Sequence, residues 1–94
     1  MKRNRFASVW DAIENPKDAA ILKVRAEVAH ELVGEIERRK LTQGRAATLL
    51  AVTQPRISDL MRGRLDLFSL DTLIEMAGHV GFQVDIKLTK RRVA

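Results

Sequence analysis

A stretch near the middle of the chain constrains its fold more than any other part of the sequence. Thr42 and Thr53 each stand where a threonine can cap the N-terminus of a helix, and Gly63 is suited to a left-handed helix end. The spacing predicts one helix over residues 43–50 and a second over residues 54–62. Because only three residues separate them, the two helices must cross through a tight turn.

The side chains of this stretch divide into an inner and an outer set. Two helices that cross steeply need a small side chain where they touch, which Ala47 supplies. Val52 is predicted to fill the turn, and Ile57 and Leu60 are predicted to bury the inner face of the second helix. The outer set of the second helix is polar and consists of Gln54, Pro55, Arg56, Ser58, Asp59 and Arg62.

Helical periodicity continues on both sides of the crossing pair. It predicts one long amphipathic helix from Pro16 to Lys40, and a last helix that Ser69 caps and Gly81 ends. The first fifteen residues are interpreted as an arm with a short helical turn over residues 8–13. The predicted apolar stripes are Ile21, Val24, Val28, Leu32 and Ile36 in the long helix, and Leu70, Leu73, Ile74, Ala77 and Val80 in the last.

Beyond the last helix the apolar period changes to two. Phe82, Val84, Ile86 and Leu88 alternate with polar residues, which predicts a half-buried β-strand over residues 82–89. A lone strand leaves its backbone donors and acceptors unpaired, so we expect two copies to pair antiparallel across a two-fold axis. The alternative is a strand that folds back onto the N-terminal arm of its own subunit.

Composition limits the classes of function. The chain of 94 residues fits one domain, and its net charge of +5 with a pI near 10.2 favours a polyanionic partner. It has no cysteine, and His30 and His79 cannot form a structural metal site alone, so we expect no metal and no cofactor. We also expect a cytoplasmic protein without a membrane segment, because no apolar run approaches ~18 residues.

The crossing pair resembles the helix-turn-helix of the phage-repressor (Cro/CI, or XRE) family. The landmarks are Thr-Gln at 42–43, Ala47, Val-Thr-Gln at 52–54, Ile-Ser at 57–58 and Arg-Gly at 62–63. The resemblance implies a mainly α, lambda-repressor-like bundle of four to five helices, here with one C-terminal strand, that binds double-stranded DNA. Ala51 departs from the pattern, because the family usually has glycine in that left-handed turn, and the strain is ~1 kcal/mol or more. Gly44 is a second departure, which weakens the start of the first helix.

In this family the second helix inserts its N-terminal part into the major groove, and the first crosses the phosphate backbone. Gln54 is then predicted to pair with adenine and Arg56 with guanine, each contributing ~1 to 3 kcal/mol of discrimination. Gln43 matches the family position that touches phosphate, and Asp59 can accept from a cytosine amine. The predicted DNA-contact set is Gln43, Thr53, Gln54, Pro55, Arg56, Ser58, Asp59, Arg62 and Arg64.

A narrower resemblance covers almost the whole chain, from the phenylalanine-led arm through Phe68-Ser69-Leu70 to the closing strand. It is similar to the small antitoxin-repressors of HigBA-type toxin-antitoxin pairs. That resemblance implies repression of the protein's own operon and binding of a ribonuclease toxin. The domain organisation expected is an arm (1–15), a helix-turn-helix domain (16–81) and a dimerisation strand with a basic tail (82–94).

Three alternatives remain beside an antitoxin. One is a stand-alone regulator without a toxin, and, as for the antitoxin, we expect it to bind a near-palindromic operator as a homodimer, with half-sites ~34 Å apart. A protein-interaction module would keep the helical shape without binding DNA. An enzyme is disfavoured, because the sequence has no tyrosine, no paired histidines, no glycine-rich phosphate loop and no G-x-S-x-G motif.

Overall fold

The computed structural model describes residues 16–90, and the side chains from Ala19 onward. Its helices are α1 (Pro16–Arg38), α2 (Gln43–Leu50), α3 (Gln54–Met61) and α4 (Leu70–His79), with a short 3-10 helix, η1 (Leu65–Leu67), between α3 and α4. The mainly α architecture predicted from the sequence is confirmed for these residues. The helical turn expected over residues 8–13 and the end of the basic tail lie outside the described residues.

Helix α1 forms one wall of the core. Its buried face carries Leu22, Ala29, Leu32 and Ile36, which recur at helical spacing. Ile21, which was predicted to lie on this stripe, is 39% exposed, so the buried face is turned slightly from the expected one. Helix α4 packs against α1 and buries Leu73, Met76 and Ala77, followed by Val80 at its end.

The predicted N-terminal caps differ in their chemistry. The Thr42 hydroxyl accepts a hydrogen bond from the backbone N–H of Arg45 at 3.2 Å, and the Ser69 hydroxyl accepts one from Thr72 at 3.1 Å. Thr53 has the extended backbone of a cap, but its side chain makes no capping hydrogen bond. The first turn of α3 is therefore held by other contacts.

Each of the four described α-helices is followed, one or two residues past its end, by a residue with positive φ. These residues are Lys40 (φ 54), Ala51 (φ 60), Gly63 (φ 77) and Gly81 (φ 87). In each case the following residue donates its N–H to a carbonyl five positions back: Leu41 to Ile36, Val52 to Ala47, Arg64 to Asp59 and Phe82 to Ala77. This is the Schellman arrangement, which satisfies the last carbonyls of a helix and reverses the chain. The left-handed turn predicted at Ala51 is confirmed, whereas the one at Lys40 has no signal in the sequence.

The segment between α3 and α4 was predicted only as a connection, but it supplies two large core residues. Leu65 and Phe68 are both 2% exposed, and they lie at the start and just past the end of η1. The segment therefore fills the space between the helix-turn-helix and the α1–α4 pair. It also fixes where α4 begins, because Phe68 is followed directly by the cap Ser69.

The C-terminal strand prediction is wrong for the single chain. Within residues 82–90 the backbone forms no strand. Phe82 and Val84 are half-buried against the core, while Ile86 is 68% and Leu88 91% exposed. A strand is defined by hydrogen bonds to a neighbour, and the described part of this chain offers no second extended segment to pair with.

Glycine at either of the two strained helix ends is expected to stabilise the protein. Ala51→Gly and Lys40→Gly should each raise the free energy of unfolding by about 1 kcal/mol, because a β-carbon is unfavourable at positive φ. Ala20→Gly, on the exposed surface of α1, is the matched control and should lower it by about 1 kcal/mol. Urea denaturation measures all three. No gain at position 51 or 40 would mean that the left-handed conformation does not carry the expected strain.

Candidate nucleic-acid interface

The helix-turn-helix is held together by small and branched apolar side chains. Ala46 and Ala47 are buried in α2, and Ile57 and Leu60 are buried in α3. Val52 is half-buried and packs against the same core, as expected for the residue that fills the turn. The small residues let the two helices approach closely. Since the apolar face of α3 packs inward, its polar face lies on the outside.

The start of α3 is exposed. Thr53, Gln54 and Pro55 all lie on the surface, and the Thr53 hydroxyl makes no cap hydrogen bond that would occupy it. The backbone carbonyl of Thr53 accepts from Arg56 and Ile57, so the helix geometry is regular from its first turn. This edge therefore presents one hydroxyl, one carboxamide and one proline ring to solvent.

The start of α2 lies beside the start of α3. A β-carbon placed on Gly44 would be 3.7 Å from the side-chain oxygen of Gln54, which is an ordinary contact distance. Gln43, the neighbour of Gly44 in sequence, is exposed. The structure thus brings Gln43, Thr53, Gln54 and Pro55 to one edge of the domain.

Arg56 is placed differently from these residues. It is half-buried, and its Nη1 donates a hydrogen bond to the carbonyl of Leu67 at 2.7 Å. Its guanidinium carbon lies 4.2 Å from the centroid of the Phe68 ring, so the charge also stacks on an aromatic face. The sequence contains a signal for this placement, because Arg56 comes directly before the buried Ile57 and one turn before the buried Leu60.

The other predicted contact residues follow the helix toward its C-terminus. Ser58 and Asp59 are half-buried, and Arg62 is exposed at the end of α3. Arg64 is half-buried, and its Nε atom is enclosed without a hydrogen-bond partner. Arg62 and Arg64 therefore lie at the opposite end of α3 from the exposed edge at Thr53.

A basic cluster at the end of α1 is engaged in internal contacts. Arg38 and Arg39 both form ion pairs with Glu35, and their hydrogen bonds hold the pKa of that carboxyl below its usual range. The lowered pKa keeps Glu35 charged at neutral pH, and the pairs are lost as the pH falls through that pKa. Arg39 also donates to the carbonyl of Val80 at 3.3 Å, which joins the ends of α1 and α4. The sequence showed only that these charges suit a helix C-terminus.

Between Pro16 and Lys90 no three histidine or acidic residues come together as metal ligands would. None of the described helices has the length and apolarity needed to cross a membrane. A shallow groove between α1 and the C-terminal segment has an apolar floor and a partly acidic lining, formed by Glu27, Val28, Glu31, Ala77, Phe82, Gln83, Val84 and Asp85.

Comparison with known proteins agrees with the geometry of the crossing pair. The model of a family described as a helix-turn-helix domain matches residues 13–89, which is most of the chain. A search of curated proteins finds no match. The family match extends from before α1 to the C-terminal segment, so it covers the whole bundle and not the crossing pair alone. On this evidence the chain belongs to the helix-turn-helix domain family.

Proposed function

We propose that this chain is a sequence-specific DNA-binding transcriptional regulator that acts as a repressor. The observation that carries the proposal is the exposed edge where α2 and α3 begin, which presents Gln43, Thr53, Gln54 and Pro55 together. Two helix N-termini at one edge supply backbone N–H groups and partial positive charge, which suit phosphate oxygens. The net charge of +5 favours the same polyanionic partner.

In the proposed complex α3 enters the major groove by its N-terminal part. Gln54 is exposed and has the donor and acceptor needed to pair with adenine. Ser58 and Asp59 lie further along the same helix. Gln43 and the start of α2 lie against the phosphate backbone. Arg62 and Arg64, at the far end of α3, contribute charge toward a neighbouring phosphate.

A comparison of Thr53 with Thr42 separates the effect of a DNA contact from the effect of a lost helix cap. Thr42→Ala removes a formed cap and is expected to lower the free energy of unfolding by ~1 kcal/mol. Thr53→Ala removes no capping hydrogen bond, so stability should change little while DNA affinity falls. Thermal denaturation and operator titration measure the two effects. Unchanged DNA affinity in Thr53→Ala would remove Thr53 from the proposed contact set.

The two arginines at the end of α3 are expected to act through charge. Arg62→Ala and Arg64→Ala should each weaken binding to all DNA sequences alike and lower the salt slope of the affinity by about 1. Lys23→Ala, on the exposed surface of α1, removes the same charge outside the helix-turn-helix and serves as the control. Fluorescence anisotropy across a salt series measures the slopes. The same reduction in Lys23→Ala would show that net charge, and not position, governs binding.

We further propose that the C-terminal segment pairs with its counterpart in a second copy. Ile86 and Leu88 are large apolar side chains left exposed, while Phe82 and Val84 on the same alternation are packed against the core. Pairing two segments antiparallel would satisfy their backbone groups and cover the exposed side chains. Two copies would also present two recognition helices to a near-palindromic operator.

The charges of the segment favour a register with the two-fold axis at Ile86 over registers with the axis at either charged neighbour. With the two-fold axis at Ile86, Asp85 faces Lys87 of the second copy, and Leu88 lies opposite the half-buried Val84. An axis at Asp85 or at Lys87 would instead place two like charges opposite each other, which is unfavourable. The axis at Ile86 also brings Lys90 opposite Phe82, beside the groove that Glu27 and Glu31 line.

Charge exchange tests this register. Asp85→Lys alone and Lys87→Asp alone each place like charges opposite one another at two symmetric positions, so each should raise the dimer dissociation constant about tenfold. The double variant restores opposite charges and should restore dimerisation. Sedimentation equilibrium at micromolar concentration measures all four proteins. A wild type that remains a monomer of 10.6 kDa would overturn the dimer, and an unrestored double variant would overturn the register.

The role of antitoxin is a finer proposal, which rests on the resemblance of almost the whole chain to the HigBA-type repressors. A cytoplasmic ribonuclease encoded by the adjacent gene, whose toxicity this chain suppresses, would establish it. Absence of such a gene favours the stand-alone regulator. A protein-interaction module is separated from both by the absence of salt-dependent DNA binding.

A further inference from the structure

The side chain of Arg56 joins the recognition helix α3 to the segment that leads into α4. We propose that Arg56 is a positioning residue, which sets how the exposed edge of α3 is presented to DNA, and that it does not read a base itself. The inference rests on the proposed DNA-binding function. It replaces the expectation that Arg56 pairs with guanine by a role that follows from its contacts.

Two contacts occupy the guanidinium at once. Its Nη1 donates to the Leu67 carbonyl at 2.7 Å, a charge-assisted hydrogen bond of short length. Its flat face lies over the Phe68 ring, whose side chain is 2% exposed and therefore fixed in the core. The two contacts together hold the guanidinium against the segment that leads into α4.

Helix α3 needs an anchor of this kind at its N-terminal end. It has eight residues, which is too short for a helix to be stable without packing, and Thr53 supplies no side-chain cap. The buried anchors Ile57 and Leu60 lie further along the helix. Arg56 therefore adds, beside the buried Ile57 that follows it, an attachment of the first turn of α3 to the segment that leads into α4.

Through its contacts with Leu67 and Phe68, Arg56 connects α3 to the helices α4 and α1. Phe68 precedes Ser69, which caps α4, and α4 packs along α1. Through Leu67 and Phe68 the angle of α3 is tied to elements outside the helix-turn-helix. Loss of Arg56 would let the start of α3 move relative to α2, so every base contact along the edge would weaken together.

The contacts of Arg56 hold its guanidinium toward the domain. Pairing with guanine requires two N–H donors directed at the base edge, whereas Arg56 is half-buried, donates to the Leu67 carbonyl and packs on the Phe68 ring. Gln54 is exposed at the same end of the helix. Readout at the start of α3 therefore belongs to Gln54 and its exposed neighbours.

The test compares base preference across a randomised operator library for the wild type and Arg56→Ala. We expect the variant to bind the operator about tenfold more weakly, with discrimination reduced at every position that α3 contacts. Arg56→Lys, which keeps a cation over the ring and one donor, should recover most of the affinity. Discrimination lost at one position alone, with the others unchanged, would overturn the inference and make Arg56 a base reader.

Phe68 provides a second test, because it is nearly fully buried and its ring is the face against which the Arg56 guanidinium lies. Phe68→Leu should reproduce the uniform loss, and the double variant with Arg56→Ala should be no weaker than either single one. Phe68→Met, which fills more of the space, replaces Phe68→Leu if that variant does not fold. Additive losses would show that the ring does not position Arg56. A wild type without any specific DNA binding would instead overturn the proposed function, and this inference with it.

Discussion

The reversal at Ala51 is the constraint on which the DNA-facing surface depends. The N–H of Val52 bonds to the carbonyl of Ala47, which ends α2 and directs the chain back toward the core. Val52 then fills the turn, and α3 starts two residues later with Ile57 and Leu60 facing inward. If the chain left α2 at another angle, the start of α3 would not lie beside Gly44. The exposed edge of Gln43, Thr53, Gln54 and Pro55 is therefore a consequence of one left-handed residue.

Much of this fold could be predicted because its signals are local. The caps at Thr42 and Ser69 and the helix ends at Gly63 and Gly81 all follow from residue types whose backbone preferences are strong. The end of α1 could not be predicted in the same way, because Lys40 adopts positive φ without being glycine. There the tertiary packing of Leu41, which follows it, outweighs the local preference. The 3-10 helix was missed for a similar reason, since three residues carry no periodicity.

The candidate site was predictable in part. Periodicity placed the polar residues of α3 on the outside correctly for Gln54, Pro55 and Arg62, which are exposed. Periodicity indicates that Arg56 flanks the buried face, but it does not give the contacts of Arg56 with Leu67 and Phe68, which join residues eleven and twelve positions apart. The strand prediction failed for a different reason. The alternation of apolar and polar residues shows which side chains a segment can bury. A β-strand also requires a neighbouring strand to hydrogen-bond with, and the sequence of the segment does not show whether one is present.

Part of the positive charge of the chain is held by contacts within the domain. Arg38 and Arg39 are paired with Glu35 at the far end of α1, and Arg56 is occupied by the η1 segment. The proposed phosphate contacts of one recognition unit therefore fall to other cations, such as Arg62 and Arg64. Linking two such units converts the second binding event into an intramolecular one, which raises the affinity without any new contact. The proposed pairing through the exposed Ile86 and Leu88 would join two recognition helices in this way.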